Sequence, residues 1–290
     1  MAGFGRVATA LEKRLYADSR GRGVLHVAVL LGGTGCLALA AERGTRGRPG
    51  LHTLATAAAT WAVLGGTSLD REAATVDLLL ADGRLAHARE QVTHLVGRDT
   101  SRLDPGEIAR ATIESVAENT SDAVVAPLLL GSVAGVPGLL CYRAANTLDA
   151  MIGHRSARYK RFGWAAARGD DLLNLSGARL TAVLASALAP TVGGSPHEAV
   201  LAWRRDAAAH PSPNAGVVEA AFAGALGVML GGVNVYGSRV EQRAVLGGGR
   251  PAAQHDIARA RRLATHVGAA AAAISVLIAL PTRRPTPRRR

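Results

Sequence analysis

Residues Val24–Ala41 read VLHVAVLLGGTGCLALAA and contain no Asp, Glu, Lys or Arg. A helix needs about 20 mostly apolar residues to cross the hydrocarbon core of a bilayer. This stretch approaches that length, and its small Gly and Ala residues would let a neighbouring helix come close, as in membrane bundles. The stretch therefore predicts that the chain crosses a membrane.

Five further apolar stretches follow along the 290 residues of the chain. They are Leu51–Leu64, Ala123–Leu140, Leu172–Val192, Val217–Val235 and Val267–Leu280. The first and the last of these five are short, so each is either a crossing or a buried or tilted element. The six stretches predict an all-α fold, a polytopic membrane helical bundle with a helical polar region between its apolar segments. We predict one membrane domain over residues 1–280, with the polar helical region at about 65–122.

Composition supports a membrane location and disfavours a nucleic-acid partner. Hydrophobic residues make up 48% of the chain but aromatic residues only 3%, whereas a soluble core normally uses more aromatic side chains. The formal net charge is +12, and the Arg residues fall in most gaps between apolar stretches, as beside spanning helices. The Pro/Arg-rich tail at 281–290 is predicted to be disordered, and its charge predicts a cytoplasmic C-terminus.

The stretch Ala123–Leu140 makes a poor continuous helix. Proline removes a helical hydrogen bond and glycine costs backbone entropy, and the stretch contains Pro127, Gly131, Gly135, Pro137 and Gly138. Broken helices at membrane depth occur where they line a cavity or are buried in protein. We therefore predict a re-entrant or kinked element, which would let the polar segments on either side share one membrane face.

The polar region contains two predicted helices. Asp70–Val96 shows the helical spacing of apolar residues and predicts one helix. A second helix starts after Asp104, which can cap it, because Pro105 suits the first helical position and Glu107 can close a capping box. This second helix should continue toward Asp122.

Four charged residues are spaced by four along the second helix. They are Arg110, Glu114, Glu118 and Asp122, and this spacing places them in one stripe. Two interpretations stay open: a solvated face with an Arg110–Glu114 pair, or a Mg²⁺ site, since Mg²⁺ prefers one or two carboxylates plus phosphate oxygens. The stripe leads directly into an apolar stretch, where carboxylates are costly, and this favours a functional role.

Polar residues also accompany the later apolar stretches. Asn146 and Asp149 follow the broken stretch, and Asp171 and Asn174 share one face of the next, with Arg179 beyond them. Two interpretations of Asp171 stay open, because its position suits either the capping of a helix N-terminus or a functional role. Capping does not explain Asn174 or Arg179, which lie inside the apolar run.

Two loops complete the set of candidate residues. Gly97–Thr100 places Arg98 beside Asp99, and Arg98 could bind a phosphate or carboxylate with two hydrogen bonds. Ser212–Gly216 has the composition of a turn and contains Asn214. The chain has no Walker-type phosphate loop and no His-Glu-x-x-His motif. The residues alone favour a membrane protein that binds Mg²⁺ and a phosphorylated or carboxylated substrate, without naming a reaction.

These segments carry a resemblance to a known family. From about Ala2 to about Ala260, the chain resembles adenosylcobinamide-phosphate synthases, the CobD/CbiB family. The matching blocks are Gly97–Thr100, Glu114–Asp122, Ala126–Leu128, Asn146–Asp149, Tyr159 with Phe162–Gly163, Asp170–Asp171 with Asn174, Ala178–Arg179 and Ser212–Gly216.

The resemblance implies an amide-forming ligase of cobalamin biosynthesis. A side-chain carboxylate of the corrinoid cobyric acid is activated and captured by the amine of aminopropanol phosphate or a close relative, giving adenosylcobinamide phosphate. Because amide formation from a carboxylate is uphill in water, ATP with Mg²⁺ is the expected driver. The expected partners are these substrates, the lipid bilayer and other enzymes of the pathway, and no nucleic acid.

The resemblance also supports the candidate positions, to which we assign roles. The predicted metal ligands are Glu114, Glu118, Asp122, Asp171 and Asn174. The predicted substrate or phosphate contacts are Arg98, Asn119, Asn146, Arg179 and Asn214. In catalysis, Arg98 and Arg179 would neutralise a developing acyl phosphate, and Asp99 or Asp149 would accept the amine proton.

The beginning of the chain departs from the family pattern. Family members are expected to begin with a further apolar stretch that ends in a Gly-Asp-Pro and His-Pro-Val region, and this chain starts just after that point. Either the start codon is assigned too far downstream or the chain is shortened. A missing segment would change the number of crossings.

Two alternative functions stay open at this point. One is a membrane Mg²⁺-dependent transferase of prenyl or lipid diphosphates, for which Asp170–Asn174 is a faint signal without a second such motif. The other is a corrinoid transporter, for which internal repeats are expected and none is found in the sequence.

Overall fold

Four helical segments are long and apolar enough to cross a bilayer in the part of the chain that the structure describes. The computed structural model describes residues 2–154, 156–236 and 239–280. The four segments are Arg20–Thr45, Pro105–Gly153, Trp164–Val192 and Gln254–Ala279. They include four of the six predicted stretches, so the prediction of a polytopic helical membrane protein is confirmed. The tail at 281–290 and the predicted side of the C-terminus lie outside the described residues.

Helices make up most of the fold, and the strands lie in the last third of the chain. The α-helices are α1 Ala2–Leu15, α2 Arg20–Thr45, α3 Pro49–Val63, α4 Gly66–Ala81, α5 Leu85–Val92, α6 Pro105–Thr120, α7 Ala126–Leu148, α8 Tyr159–Phe162, α9 Trp164–Leu188, α10 Pro196–Asp206, α11 Ala215–Leu226 and α12 Gln254–Ala279. Short π-helical segments, Ser121–Val125 and Asp149–Gly153, follow α6 and α7. The strands are β1 Val228–Tyr236, β2 Arg239–Leu246 and β3 Arg250–Pro251.

Two of the predicted apolar stretches do not form spanning helices. Leu51–Leu64 falls in α3, whose 15 residues extend about 22 Å, less than the ~30 Å hydrocarbon core. The prediction of a crossing at Val217–Val235 is wrong, because α11 ends at Leu226 and β1 follows. Gly227 ends α11 with φ 68°, a left-handed conformation that glycine adopts without strain.

A small sheet replaces the second half of that stretch. β1 pairs with β2 in an antiparallel hairpin and with the two residues of β3 in parallel, so the strand order is β2-β1-β3. The hairpin register shifts between Leu230 and Gly232, where Gly231 and Gly232 have φ values of 84° and 92°. A side chain at Gly231 would overlap the backbone oxygen of Ala244, so glycine is required at this bulge.

The predicted break within Ala123–Leu140 is confirmed, and it lies inside α7. Gly135 has φ 65° and ψ −150°, outside the helical region, and Pro137 follows. The Glu42 carboxylate of α2 accepts a hydrogen bond from the Val136 backbone N–H at 3.0 Å. This bond replaces one that the break removes from the helix, so α7 is a kinked helix capped at its break by an acidic side chain.

Gly135→Ala is expected to destabilise the protein by about 1–3 kcal/mol, because a non-glycine residue is strained at positive φ. Its Cβ would also overlap the Glu42 carboxylate. The thermal unfolding midpoint in detergent measures the effect. Gly33→Ala in α2 is the matched control, since a Cβ there meets no atom within 4 Å and the midpoint should not fall. Equal midpoints for the two variants would contradict the prediction.

In the polar region, the structure confirms the predicted helix at α6 but not the single helix predicted in the residues before α6. The prediction of one helix over Asp70–Val96 is wrong, because Gly83, with φ 68°, separates α4 from α5. The start of α6 is confirmed. The Asp104 carboxylate accepts from the Glu107 backbone N–H, and the Glu107 carboxylate accepts from the Asp104 backbone N–H, both at 2.8 Å. These reciprocal bonds form the predicted capping box.

The chain divides into two compact units by its internal packing. Unit 2 comprises Gly65–Val125 and Leu175–Ala271, and unit 1 comprises the other described residues. In unit 1, a core cluster joins helices that are distant in sequence, and its buried members are Ala8, Leu30, Leu148, Ile152, Phe162 and Ala166. In unit 2, α6 is buried along most of its length. The single membrane domain over 1–280 stays a prediction.

Candidate functional site

Glu114 of α6 lies at the centre of a buried group of charged residues in unit 2. Its Oε2 accepts a hydrogen bond from Arg98 Nη2 at 2.9 Å. Its Oε1 accepts from Arg110 Nη1 at 3.0 Å and from the Gly231 backbone N–H at 2.8 Å. The side chains of Arg98 and Glu114 are only 3% and 11% exposed, so solvent and salt screen their attraction weakly. Both carboxylate oxygens of Glu114 are therefore engaged by cations or a backbone donor.

The same two arginines hold the first strand of the hairpin. The buried side-chain oxygen of Asn234 accepts from Arg98 and, at 3.4 Å, from Arg110. Arg110 also donates to the backbone oxygens of Gly231 and Val233, the latter at 3.1 Å. The buried Arg98 Nε–H has no acceptor among the described residues, and a buried donor of this kind calls for a partner. Arg98 thus combines a fixed position with a remaining donor for a ligand.

A second ionisable pair lies in unit 2, between the turn that precedes α11 and α11 itself. His210 and Glu219 are each 3% exposed in their side chains, and His210 Nε2 lies 4.0 Å from Glu219 Oε1. Arg243 Nη1 of β2 lies 3.5 Å from the same ring nitrogen. Burial lowers the pKa of His210 and raises the pKa of Glu219, because loss of water disfavours the charged form of each group. The imidazole is therefore neutral at pH 7, and the Glu219 carboxylate is more basic than an exposed one.

Two of the predicted phosphate contacts meet in unit 2. Arg179 Nη1 donates to the side-chain oxygen of Asn214 at 2.7 Å, and Asn214 is buried. The backbone N–H of Asn214 donates in turn to Ser212 Oγ at 3.3 Å. The structure therefore brings this Arg and Asn together, while their contact with phosphate stays a prediction.

The other predicted residues near the end of α6 are arranged differently from Glu114. Glu118 is exposed and Asp122 is partly buried. Asn119 donates its side-chain amide to the backbone oxygen of Ser115 at 2.9 Å and to Ser115 Oγ at 3.2 Å, so it faces its own helix. The predicted stripe is therefore divided between a buried ion-paired end and a more exposed acidic end.

Asp99 is exposed although its neighbour Arg98 is buried. Its Oδ1 accepts a hydrogen bond from the Ser101 backbone N–H at 2.9 Å, and this bond lowers the pKa of Asp99. A carboxylate with a lowered pKa is a weaker proton acceptor. These contacts do not favour the role of proton acceptor predicted for Asp99, which stays a prediction.

Unit 1 contains the acidic residues that follow the broken helix. The Asp149 and Asp171 carboxylates lie close enough to repel each other. Gly153 leaves room for the Asp149 carboxylate, which a Cβ at that position would overlap. Arg168 Nη1 donates to Asp171 Oδ2 at 3.3 Å. Two predicted residues from separate helices thus form one acidic pair.

The predicted amides of unit 1 lie near this pair in the sequence. Asn146 Oδ1 accepts from Arg143 Nη1 at 3.4 Å, and Asn174 is buried in α9. The phosphate contact of Asn146 and the metal coordination by Asn174 both stay predictions.

The predicted metal ligands are divided between the two units. Glu114, Glu118 and Asp122 belong to unit 2, and Asp171 and Asn174 belong to unit 1. Across residues 2–154, 156–236 and 239–280, no group of three or more His, Cys, Asp or Glu side chains could hold a metal ion. The contacts of Glu114 favour a role in ion pairing, and its role as a metal ligand stays a prediction.

Four residues of these buried groups were not predicted: His210, Glu219, Asn234 and Arg243. Glu219 carried a signal that we overlooked, because an acidic residue inside the apolar stretch Val217–Val235 is costly and usually has a purpose. The other three lie outside any recognisable motif, and one of them, Asn234, belongs to a strand that was predicted to be part of a crossing.

The fold and the site define a class, a multi-pass helical membrane protein with buried ionic contacts suited to a charged substrate. A model of the CobD/Cbib protein family matches residues 1–264. The chain therefore belongs to the CobD/Cbib family, and the resemblance predicted from the sequence is confirmed.

Curated relatives agree with the family match. The chain is 52% identical over 284 residues to the cobalamin biosynthesis protein CobD of Mycobacterium tuberculosis, covering 97% of this chain and 89% of that protein. It is 46% identical over 240 residues to the protein of the same name from Geobacter metallireducens, covering 80% and 74%. The corresponding protein of Chromobacterium violaceum is 44% identical over 272 residues, covering 91% and 84%. No solved structure matches this chain.

Glu114→Gln is expected to destabilise the protein by about 3–5 kcal/mol, because it removes the charge that compensates two buried arginines. Chemical unfolding in detergent, followed by circular dichroism, measures the loss. Glu198→Gln on α10 is the matched control, since the Glu198 side chain is 60% exposed and its removal should leave stability unchanged.

Adding Arg98→Met to Glu114→Gln should recover part of the lost stability, because one of the two uncompensated charges then disappears. The contrary outcome is strict additivity, in which the loss of stability in the double variant equals the sum of the losses in the two single variants. That result would show that the two side chains do not interact.

Proposed function

We propose that this chain is an amide-forming ligase of cobalamin biosynthesis. Its substrates are a corrinoid carboxylic acid, cobyric acid, and the amine aminopropanol phosphate, and its product is the corresponding cobinamide phosphate. ATP with Mg²⁺ drives the ligation, because amide formation from a free carboxylate is uphill in water.

One observation carries this proposal, the match of the CobD/Cbib family over residues 1–264. The relatives at 44–52% identity are named cobalamin biosynthesis proteins, which supports a biosynthetic role with a corrinoid substrate. The four span-capable helices support a location in the bilayer. Membership of this family also makes the diphosphate transferase and the transporter poor alternatives.

The arrangement of cations supports a substrate that carries phosphate or carboxylate. Arg98 is fixed by Glu114 and Asn234 and keeps a buried Nε–H donor. Arg179 is held by Asn214. Fixed guanidinium groups stabilise the charge that develops on an acyl phosphate or its leaving phosphate more strongly in a dry site than in water. We therefore assign phosphate neutralisation to Arg98 and Arg179.

Mg²⁺ fits the acidic pair of unit 1. Asp171 repels Asp149, and His154 opposes this repulsion in part. Arg168 donates to Asp171, and a divalent cation would relieve the repulsion that is left. Mg²⁺ is usually held by one or two carboxylates together with substrate phosphates, and this pair supplies such a donor set. When bound, the ion would neutralise nucleotide phosphates. Glu118 and Asp122 remain predicted ligands.

Purified protein in lipid nanodiscs should convert cobyric acid, aminopropanol phosphate and Mg-ATP into an amide product, with release of phosphate from the nucleotide. Mass spectrometry of the corrinoid measures the product, and reactions without nucleotide or without the amine are the controls. The absence of a corrinoid amide under all these conditions would contradict the proposal, and transfer of a prenyl or lipid group instead would support the transferase.

Asp149→Asn and Asp171→Asn should each raise the Mg²⁺ concentration needed for half-maximal activity and lower the maximal rate by at least tenfold. The reason is that each removes one carboxylate from the pair proposed to hold the ion. Binding of Mn²⁺, followed by electron paramagnetic resonance, gives a readout that does not depend on turnover. Asp18→Asn is the matched control, because the Asp18 side chain is 62% exposed. Unchanged Mn²⁺ binding in both variants would exclude the pair as the metal site.

A further inference from the structure

Amide formation requires a proton acceptor, because the amine reaches the protein as an ammonium ion. A primary alkylamine resembles the lysine side chain, whose pKa is about 10.4, so it is almost fully protonated at pH 7. Only the neutral amine has the electron pair that attacks a carbonyl carbon. An enzyme that ligates such an amine therefore gains from a positioned base.

We infer that the His210–Glu219 pair is the proton acceptor of the proposed ligation and receives the proton that the ammonium group loses before it attacks. The inference rests on the proposed function. It differs from the sequence prediction, which gave this role to Asp99 or Asp149.

Burial and location single out this pair. Glu219 is 2% exposed on α11, every residue of which is buried. A carboxyl group in such surroundings opposes folding unless a partner or a function retains it. Its recorded neighbour is His210, at 4.0 Å. A buried histidine and a buried carboxyl in contact are the residue types that general acid–base catalysis uses most often.

The surroundings of the imidazole allow it both to receive and to pass on a proton. At Nδ1, the Ser212 backbone offers an N–H donor at 3.1 Å and a carbonyl acceptor at 3.3 Å, so either neutral tautomer finds a partner. In the protonated ring, Nδ1–H would donate to the Ser212 oxygen and Nε2–H would face Glu219. The protonated ring is therefore accommodated at Nδ1, while at Nε2 the attraction of Glu219 at 4.0 Å is opposed by Arg243 at 3.5 Å, so the ring holds a proton only transiently.

Charged groups from every neighbouring element act on this pair. Arg243 of β2 opposes protonation of His210, whereas Glu241 of β2 and Glu114 of α6 favour it, and burial outweighs them so that the pKa of His210 is lowered. For Glu219, burial raises the pKa, Glu114 and Glu118 act in the same direction, and Arg243 and Arg98 oppose them. Burial thus favours the neutral ring, and it makes the Glu219 carboxylate, where ionised, a stronger proton acceptor than an exposed carboxylate.

The other candidate acceptor in unit 2 is less suited to this task. Asp99 is exposed, and its hydrogen bond from Ser101 lowers its pKa. A lowered pKa makes Asp99 a weaker final acceptor than Glu219, to which His210 only relays the proton. Among these carboxylates, burial raises the basicity of Glu219 and hydrogen bonding reduces that of Asp99.

An N–H bond of the ammonium group breaks, its electrons stay on nitrogen, and the proton passes through His210 to Glu219. The nitrogen pair forms the C–N bond with the carbonyl carbon of the acyl phosphate, whose C–O bond breaks with its electrons on phosphate. The leaving phosphate takes a second proton from nitrogen, and the proton on Glu219 later returns to solvent. The acyl phosphate forms when an oxygen of the corrinoid carboxylate attacks the γ-phosphorus of the nucleoside triphosphate and the nucleoside diphosphate leaves with the electrons of the broken P–O bond.

A change of nucleophile distinguishes a residue that acts as a base from a residue that only supports the structure. Hydroxylamine is uncharged at neutral pH and captures activated carboxyl groups as hydroxamates without a prior deprotonation. With aminopropanol phosphate, His210→Gln and Glu219→Gln should lower kcat/KM by about 100-fold or more, the usual contribution of a positioned base. With hydroxylamine, the same variants should form hydroxamate within a few-fold of the wild-type rate.

The matched control is His197→Gln, since the His197 side chain is 80% exposed and both rates should be unchanged. The thermal midpoint of each variant in detergent establishes whether it is folded. Folded variants that lose both rates equally, or that keep both, would overturn the inference. If Asp149→Asn shows the nucleophile-dependent loss instead, the base is Asp149 and the inference also fails.

The wild-type protein supplies a test that does not depend on any variant. Its kcat/KM for aminopropanol phosphate should rise with pH and level off once the pair is deprotonated, because the ammonium form is then the reacting species. Without a protein base, kcat/KM would keep rising about tenfold per pH unit toward the pKa of the amine, and such a continued rise would overturn the inference. If the wild-type protein forms no amide with either nucleophile, the proposed function itself has failed.

Discussion

The carboxylate of Glu114, shared between two arginines and a backbone N–H, is the interaction on which the arrangement of unit 2 depends. Arg98, Arg110 and the Gly231 backbone all bind it, and the same arginines bind Asn234 of β1. Isolated charges in such a dry place would be strongly unfavourable. They are tolerable because each compensates another, so α6, the preceding loop and the hairpin must come together as a set.

This constraint explains how a chain dominated by small apolar residues can build a specific site. Helices of Ala, Gly, Val and Leu pack closely but offer few directional contacts. The directional contacts in unit 2 come from a few buried polar side chains, including Asn214 with Arg179 and His210 with Glu219. They hold the Arg179 guanidinium and the His210 ring in fixed positions within unit 2.

Local features of the chain were predictable because their causes are local. The capping box at Asp104 depends on residues three positions apart, and the kink at Gly135 follows from the density of Gly and Pro around it. The failures also have local reasons. Gly83, with positive φ, lies in the turn that interrupts the helix predicted over Asp70–Val96. Gly227 divides an apolar stretch into a short helix and a strand, and apolar content alone does not distinguish these states.

The sequence by itself determined the membrane-spanning character, the family, and most positions that carry polar chemistry, since apolar run length and ordered motifs are properties of the linear chain. Tertiary structure alone decided which of those side chains meet. A stripe of acidic residues spaced by four looks uniform in sequence, yet Glu114 is buried between arginines while the Glu118 side chain is exposed. The physical reason is that pairing and burial of a charge depend on partners from distant segments, such as Gly231 and Asn234. Their approach is set by the hairpin and not by spacing along the chain.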